Sequence, residues 1–233
     1  MQTLTLVVGN LNYSSWSMRP WVLLRQFGIP FDEVMLRFDG FEAGSTFKQA
    51  ALKISPLGKV PVLVVDDGPE PLVVWDTLAI AETLAERFPE HRLWPSDAAA
   101  RARARSLCAE MHSGFTVLRS ACPQNIEASL AEVGARLLAE QPALRADLAR
   151  LSAMWTEALA QSGGPFLFGD YSIADAYYAP VAGRVRTYGL PLSAEAAAYV
   201  QRLWASPGVA DWVTQALAEA DYLAFEEPYR RQR

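Results

Sequence analysis

The chain has 233 residues, of which 51% are hydrophobic and 20% are charged, and its formal net charge is −5. This length allows one large domain or two small ones, each with a real core. The negative charge offers no basic surface for nucleic acid or anionic lipid. The first nine residues hold neither a basic segment nor a long apolar run, so we expect no signal peptide and no transmembrane helix.

The cysteines and histidines also narrow the possible functions. Cys108 and Cys122 are the only cysteines, and His91 and His112 are the only histidines. Their spacing matches no metal-ligand pattern, so we expect no metal site. Two cysteines without an export signal fit free, buried thiols in a reducing cytoplasm, and we expect a cytoplasmic protein.

Strand and helix patterns alternate through residues 1–88. Residues 2–8 place Leu4, Leu6 and Val8 on one face of a strand. The remaining predicted elements are a helix ending near Gly28, a strand over 31–37, a short helix over 45–52, a hairpin of 61–65 with 72–75, and a helix from about Asp76. The order βαβαββα predicts an α/β layer structure with one mixed sheet.

No strand pattern continues beyond Pro89. Residues 89–96 carry a proline at each end and are predicted to be a linker. Residues 97–225 are rich in Ala, Leu, Arg and Glu and are broken near 122–123, 163–165, 189–191 and 206–208, which predicts an all-helical domain of roughly five helices. Residues 226–233 form a polar tail that we expect to fray.

The most informative segment is Asn12–Trp21, which follows the first strand. Pro20 lacks a backbone donor, so we expect the helix to be capped at Ser17 or later, with Ser14 and Ser15 just before it. Free N–H groups and the helix dipole favour an anion there. Lowering a thiol pKa by roughly 2 units corresponds to about 2.7 kcal/mol of thiolate stabilisation, which one hydroxyl and a helix end can supply. Simple capping by the serines is the alternative.

Two further segments carry polar groups at element starts. Pro61 opens an apolar strand, and the Val60–Pro61 bond is a candidate for the cis form that would let Val60 pair with an extended peptide. A plain trans proline is the alternative. Asp76 and Thr77 stand at a helix start that could hold a ligand carboxylate or, alternatively, only cap the helix.

Taken in order, these segments resemble the glutathione transferase superfamily. Ser14–Arg19 looks most like the serine motif of the zeta class, which includes maleylacetoacetate isomerases, although Trp16 stands where that class has a cysteine. Lys59–Pro61 resembles the cis-proline loop, and Asp76–Ile80 the acidic-hydroxyl signature. Phe168–Asp175 resembles the buried capping box, with Ser172 as cap and Asp175 at the third position.

The resemblance implies a thioredoxin-like N-terminal domain, an all-helical C-terminal domain and a homodimer. It also implies glutathione as cosubstrate. Its thiolate would be stabilised by Ser14 with Ser15 nearby, and Tyr13 is the rival because some classes use a tyrosine near the first strand end. Lys59 would contact the glycyl carboxylate and Val60 the cysteinyl backbone. Asp76 and Thr77 would bind the γ-glutamyl end.

The expected activity is transfer of glutathione to a small electrophile. We expect an apolar acceptor pocket with Trp16, Met111 and Phe115 as walls. Asn125 resembles a residue that lines the zeta-class cleft. A glutathione-dependent cis–trans isomerase and a non-catalytic binding or regulatory protein remain alternatives, because a fold alone does not fix function.

Overall fold

The structure is a computed structural model, and it describes residues 3–233. Residue 2 of the expected first strand lies outside this range. Four strands form one sheet in the order β2-β1-β3-β4. They are β1 (Thr3–Val8), β2 (Asp32–Met35), β3 (Val62–Asp66) and β4 (Leu72–Val74). β1 runs parallel to β2 and antiparallel to β3, and β4 completes the hairpin, so the sheet is mixed as predicted.

Three helices accompany this sheet, α1 (Ser15–Gln26), α2 (Thr46–Leu52) and α3 (Thr77–Arg87). Leu4, Leu6 and Val8 are buried, as the alternating pattern of the first strand predicts. The N-terminal half therefore has the predicted thioredoxin-like order βαβαββα.

The first helix begins earlier than the sequence predicts. We expected Pro20 to hold the helix start at Ser17 or later, but α1 begins at Ser15 with Ser14 as its N-cap. Pro20 lies inside the helix and is buried. A proline inside a helix removes one backbone donor, and tertiary packing overrides this local preference.

The C-terminal half is all helical, as predicted, but residues 98–219 form seven helices rather than five. They are α4 (Ala98–Ser113), α5 (Thr116–Ala121), α6 (Ala131–Glu140), α7 (Pro142–Ser162), α8 (Ile173–Tyr188), α9 (Ala194–Trp204) and α10 (Pro207–Glu219). The first extra break follows Gly114, where Phe115 adopts a left-handed backbone with φ 52°. The second lies at Pro142, which starts a new helix because its missing N–H costs nothing there.

Helix α1 joins the two halves. It packs against α8 and α10 of the C-terminal half and against α3 and β1 of the N-terminal half. The Trp21 and Trp212 rings meet edge to face with centroids 5.2 Å apart. Gly208 lets α10 approach closely, since a Cβ there would lie 2.4 Å from the Val22 carbonyl oxygen. The start of α1 is thus held by both halves of the molecule.

The polar tail is anchored rather than free. The Glu227 side chain accepts hydrogen bonds from Tyr13 Oη and Asn125 Nδ2, both at 2.8 Å, and pairs with Arg230. Tyr229 Oη donates to the Ala121 carbonyl at 2.7 Å. We expected the tail to fray because it is polar. The sequence does not reveal its hydrogen-bond partners Tyr13, Asn125 and Ala121, because they lie about 100 or more residues away.

Candidate functional site

Two serines occupy the start of α1. Ser14 is 6% exposed and Ser15 is 9% exposed. The Ser14 side chain makes no capping hydrogen bond to the helix, although Ser14 is the N-cap residue. Its Oγ instead lies 2.7 Å from Ser17 Oγ. Because the hydroxyl is not used to cap the helix, the capping alternative does not account for Ser14.

The rival Tyr13 uses its hydroxyl elsewhere. Tyr13 Oη donates to Glu227 Oε1 at 2.8 Å and accepts the Leu223 N–H at 3.2 Å. Burial, together with the nearby Glu227 carboxylate, raises the pKa of Tyr13 to about 12. The phenol therefore ties α1 to the C-terminal tail.

The loop before β3 faces the serines. The Val60–Pro61 bond is cis, which decides between the two forms that the sequence left open, and the Trp75–Asp76 bond is also cis. Two adjoining cavities share Trp16, Lys59 and Val60. The first, here the aromatic cavity, measures about 370 Å³ and is further lined by Tyr13, Ser14, Ser15, Phe38, Phe41, Phe47, Lys48, Gly58 and Glu226. The second, here the polar cavity, measures about 300 Å³ and is further lined by Ser55, Leu57, Pro61, Trp75, Asp76, Thr77, His112 and Arg119.

Asp76 and Thr77 stand at the start of α3, as predicted. Asp76 caps the helix by accepting the Leu78 N–H at 3.2 Å, and its other oxygen lies 3.2 Å from His112 Nε2. Thr77 Oγ1 lies 2.8 Å from Tyr177 Oη. Asp76 is exposed to the polar cavity while Thr77 is buried, so capping and ligand binding are compatible at Asp76.

The sequence pointed to neither His112 nor Arg119 as a site residue. His112 Nδ1 lies 2.8 Å from Tyr177 Oη, so the imidazole links Asp76 to a chain of hydroxyls. Arg119 donates to the carbonyls of His112 and Gly114. The helix break at Gly114 separates α4, which carries His112, from α5, which carries Arg119, and both side chains line the polar cavity. In the sequence, only the position of His112 close to Gly114 could have suggested that this histidine belongs to the site.

Two guanidinium groups lie close to the Trp16 ring. Arg19 Cζ is 4.0 Å and Arg119 Cζ is 5.0 Å from the Trp16 ring centroid, and the His112 ring meets Trp16 edge to face at 5.1 Å. Cations over an indole face are attracted by the ring quadrupole. These contacts fix the indole where the two cavities meet.

Two buried arginines, Arg19 and Arg184, lie close to the start of α1. Arg19 is 2% exposed and donates to the Tyr177 carbonyl, and Arg184 is 5% exposed and donates to the Cys122 carbonyl and to Ser15 Oγ. Neither forms an ion pair with any of residues 3–233. Burial lowers the pKa of both, and neighbouring guanidinium charges lower it further. Unpaired buried cations make this region favourable for an anion.

Of the four expected acceptor residues, only Trp16 lines the cleft. Met111 is 0% exposed and Phe115 is 6% exposed, and neither lines the two cavities. The Asn125 amide contacts Glu227 and the Ala128 N–H, so it holds the tail. The aromatic wall consists instead of Phe38, Phe41 and Phe47, whose rings meet edge to face with centroids 4.8 to 5.8 Å apart.

Metal and membrane features complete the description. Within residues 3–233, no group of three or more His, Cys, Asp or Glu side chains is placed to hold a metal ion. None of the helices in this described range has the length and apolar character needed to cross a bilayer. Cys108 and Cys122 are free and buried, and burial raises the pKa of both thiols.

Comparison with known proteins identifies relatives of this chain. The chain is 37% identical over 101 residues to glutathione S-transferase 1 of Dianthus caryophyllus, covering 43% of this chain and 42% of that protein. It is 37% identical over 84 residues to a zeta-class glutathione S-transferase of Euphorbia esula, covering 36% of this chain and 34% of that protein. The chain thus spans about two fifths or less of these curated relatives.

A solved structure extends the similarity to most of the chain. The crystal structure of a glutathione transferase homologue from Burkholderia, with bound glutathione, is 25% identical with a TM-score of 0.63 and covers 93% of this chain and 99% of that one. Residues 13–87 match the family model for the glutathione S-transferase N-terminal domain, and residues 98–215 match that for the C-terminal domain. The chain therefore belongs to the glutathione S-transferase family.

Proposed function

We propose that this protein binds glutathione, holds it as the thiolate and delivers the sulfur to a small electrophile. The observation that carries the proposal is Ser14, a nearly buried hydroxyl at the start of α1 that does not cap its helix and faces a cleft. A hydroxyl, free helix N–H groups and unpaired guanidiniums all favour a thiolate over a thiol at this point.

The remaining proposed contacts correspond to the other parts of the glutathione tripeptide. Lys59 and Val60 line both cavities and would hold the glycyl carboxylate and the cysteinyl backbone. Asp76 and Thr77 in the polar cavity would bind the γ-glutamyl end. The electrophile would then occupy the aromatic cavity, with Trp16 and the three phenylalanines as walls. We expect a homodimer in the cytoplasm, and gel filtration with light scattering tests the subunit number.

Replacing Ser14 tests the mechanism directly. Ser14→Ala should lower kcat for conjugation roughly 100-fold and leave glutathione affinity nearly unchanged, because the lost contact acts on the thiolate. Initial rates with a chloronitroarene acceptor and calorimetric titration with glutathione measure the two quantities. Tyr13→Phe is the matched control, since its hydroxyl is bound to Glu227. Unchanged turnover in Ser14→Ala with loss in Tyr13→Phe would reject the serine assignment.

The alternatives predict other outcomes in the same experiments. Turnover of a maleyl-type substrate without consumption of glutathione would identify an isomerase. Glutathione binding without thiolate absorbance or turnover would identify a non-catalytic binding protein. The intact set of Ser14, Lys59, Asp76 and Thr77 in one cleft favours the transferase.

A further inference from the structure

A short turn of the C-terminal tail contributes to the aromatic cavity. Residues Ala224–Glu226 form a single 3₁₀ turn, in which the Glu226 N–H donates to the Leu223 carbonyl at 2.9 Å. Leu223 is buried and belongs to one hydrophobic cluster with Phe38 and Phe47. The Glu226 side chain lines the aromatic cavity. The tail therefore adds an acidic side chain to a cavity whose other lining residues belong to the N-terminal domain.

The Tyr13 phenol holds this turn at both ends. Tyr13 Oη accepts the Leu223 N–H at 3.2 Å and donates to Glu227 Oε1 at 2.8 Å. Glu227 also accepts a hydrogen bond from Asn125 Nδ2 at 2.8 Å. Glu226 lies between these two anchored residues, so the backbone that carries its carboxyl group is fixed before any acceptor binds. A group fixed in this way loses little further freedom when it binds a ligand.

The Glu226 carboxyl group lacks a compensating partner. Within residues 3–233 it forms no ion pair, whereas the neighbouring Glu227 pairs with Arg230. Burial and the charge of Glu227 raise the pKa of Glu226, and no hydrogen-bond donor in that range offsets them. A cation placed in the aromatic cavity would stabilise this carboxylate as the anion.

The other two charged side chains of the aromatic cavity are lysines with their own acceptors. Lys48 Nζ donates to the carbonyls of Leu57 at 2.8 Å and Gly58 at 2.9 Å. Under the proposed function, Lys59 binds the glycyl carboxylate of glutathione. With glutathione in place, Glu226 is the charged side chain of this cavity that still lacks a partner among residues 3–233. The charge that it attracts in a second substrate is positive.

Aromatic rings lie beside this carboxylate. Phe41 is 53% exposed and Phe225 is 50% exposed, and their ring centroids lie 5.7 Å apart. Phe41 also meets the rings of Phe38 and Phe47 edge to face, with centroids at 5.1 and 5.8 Å. Aromatic side chains pack against flat apolar groups and attract organic cations at their faces. Such rings together with one unpartnered carboxylate fit a flat apolar molecule that carries a positive charge.

We propose that Glu226 is a specificity-determining residue that selects aromatic electrophiles carrying a cationic group such as an ammonium. This assignment rests on the proposed function and names the class of the second substrate. In the transfer step, the glutathione sulfur forms a bond to the electrophilic ring carbon, and the halide leaves with its bonding electron pair. Glu226 forms no covalent bond. Its carboxylate binds the ammonium and so positions the ring for attack by the sulfur.

Three acceptors of similar shape test the charge preference at neutral pH. They are cationic 4-chloro-3-nitrobenzylammonium, neutral 4-chloro-3-nitrobenzamide and anionic 4-chloro-3-nitrobenzoate, and each loses chloride to glutathione. Each kcat/KM is divided by the rate constant of the uncatalysed reaction with glutathione, which corrects for chemical reactivity. By this ratio, the wild type should favour the ammonium over the benzoate at least about tenfold. Equal ratios, or a preference for the benzoate, would overturn the proposal.

Variants of Glu226 test whether this residue sets the preference. Glu226→Gln removes the charge at nearly constant shape and should reduce the preference to about twofold or less. Glu226→Asp should retain most of it, and Glu226→Lys should reverse it in favour of the benzoate. Glu42→Gln is the matched control, because Glu42 is exposed beside Phe41 and does not line the aromatic cavity. A preference that survives Glu226→Gln, or that falls equally in Glu42→Gln, would exclude the role of Glu226.

A binding measurement separates this proposal from the proposed function. Calorimetric titration with 3-nitrobenzylammonium, which has no leaving chloride, measures cation binding to the protein in the presence of S-methylglutathione. Binding that depends on Glu226, without conjugation of any acceptor, would support the cation site and reject the transferase function. Conjugation of all three acceptors without a charge preference would support the transferase function and reject the role of Glu226.

Discussion

Adjacent carboxylates in the C-terminal tail experience opposite environments. Burial alone would raise the pKa of Glu227, but hydrogen bonds from Arg230, Tyr13 and Asn125 outweigh it and hold the pKa below 4.5. Burial and the charge of Glu227 raise the pKa of Glu226 above 4.5. The same stretch of backbone therefore carries one carboxylate stabilised as the anion and one destabilised as the anion.

Because the two pKa shifts are opposite, Glu227 and Glu226 should change the free energy of unfolding in opposite directions as pH rises. The lowered folded-state pKa of Glu227 means that its contribution is present above pH 4.5 and is lost as pH falls below it. The stability advantage of wild type over Glu227→Gln should therefore shrink in acid. Glu226 is the matched control. The contribution of Glu226 to stability is lost as pH rises through its pKa in the folded state. Over that range, Glu226→Gln should therefore become more stable relative to wild type. Urea unfolding at a series of pH values measures both, and parallel curves would contradict the assignment.

At the scale of single elements, the start of α8 depends on one carboxylate. Ser172 and Asp175 form the predicted reciprocal capping box. The Asp175 side chain also accepts the Leu167 N–H at 3.1 Å and the Tyr199 hydroxyl at 2.9 Å. Burial raises the pKa of Asp175 to about 6 even with these donors present. The carboxylate thus joins α8, α9 and the loop before α8.

Asp175→Ala should lower the free energy of unfolding by at least about 3 kcal/mol, because several buried donors lose their acceptor. Asp170→Ala is the matched control: Asp170 is exposed in the same loop, and its replacement should change stability by less than about 0.5 kcal/mol. Urea denaturation of the two variants compares them. Similar losses in both would show that loop composition, not the cap, is responsible.

The elements differ in how far the sequence predicts them. The strand face of Leu4 and Leu6 and the Ser172–Asp175 box depend on neighbours within a few residues, so local patterns predict them. The local sequence leaves the Val60–Pro61 bond open between cis and trans, and the structure has the cis form. The break after Gly114 depends on a left-handed Phe115, which local preference disfavours. The contact of Arg184 with Ser15 joins residues 169 positions apart, and no periodicity reveals such a pair.

At the scale of the whole molecule, the junction of α1 with α10 links the two domains. A side chain at Gly208 would collide with the backbone of α1, at 2.4 Å from the Val22 carbonyl oxygen and 3.0 Å from the Gln26 nitrogen. Close backbone approach of this kind requires glycine. Because Ser14 is the N-cap residue of α1, the domain junction and the cleft meet at the same helix.

Gly208→Ala should therefore destabilise the protein by about 1–3 kcal/mol through overpacking between the domains. Gly44→Ala is the matched control, since an added Cβ at this exposed glycine meets nothing within 4 Å and its backbone lies outside the left-handed region. Thermal unfolding monitored by circular dichroism measures both. An unchanged midpoint for Gly208→Ala would mean that α10 can shift away from α1 without cost.

The anchored tail has a consequence for the timing of protein synthesis. Glu219 binds Asn10, and Glu227 binds Tyr13, at sequence separations of 209 and 214 residues. At ribosomal speeds, these acidic side chains emerge roughly 10 to 40 seconds after their partners. Until then the Asn10 amide nitrogen and the Tyr13 hydroxyl lack these acceptors, while Asn10 Oδ1 already accepts the Phe38 N–H. A ribosome-bound chain that stops before residue 219 should consequently expose this wall of the cleft to chaperones, and release of the longer chain should close it.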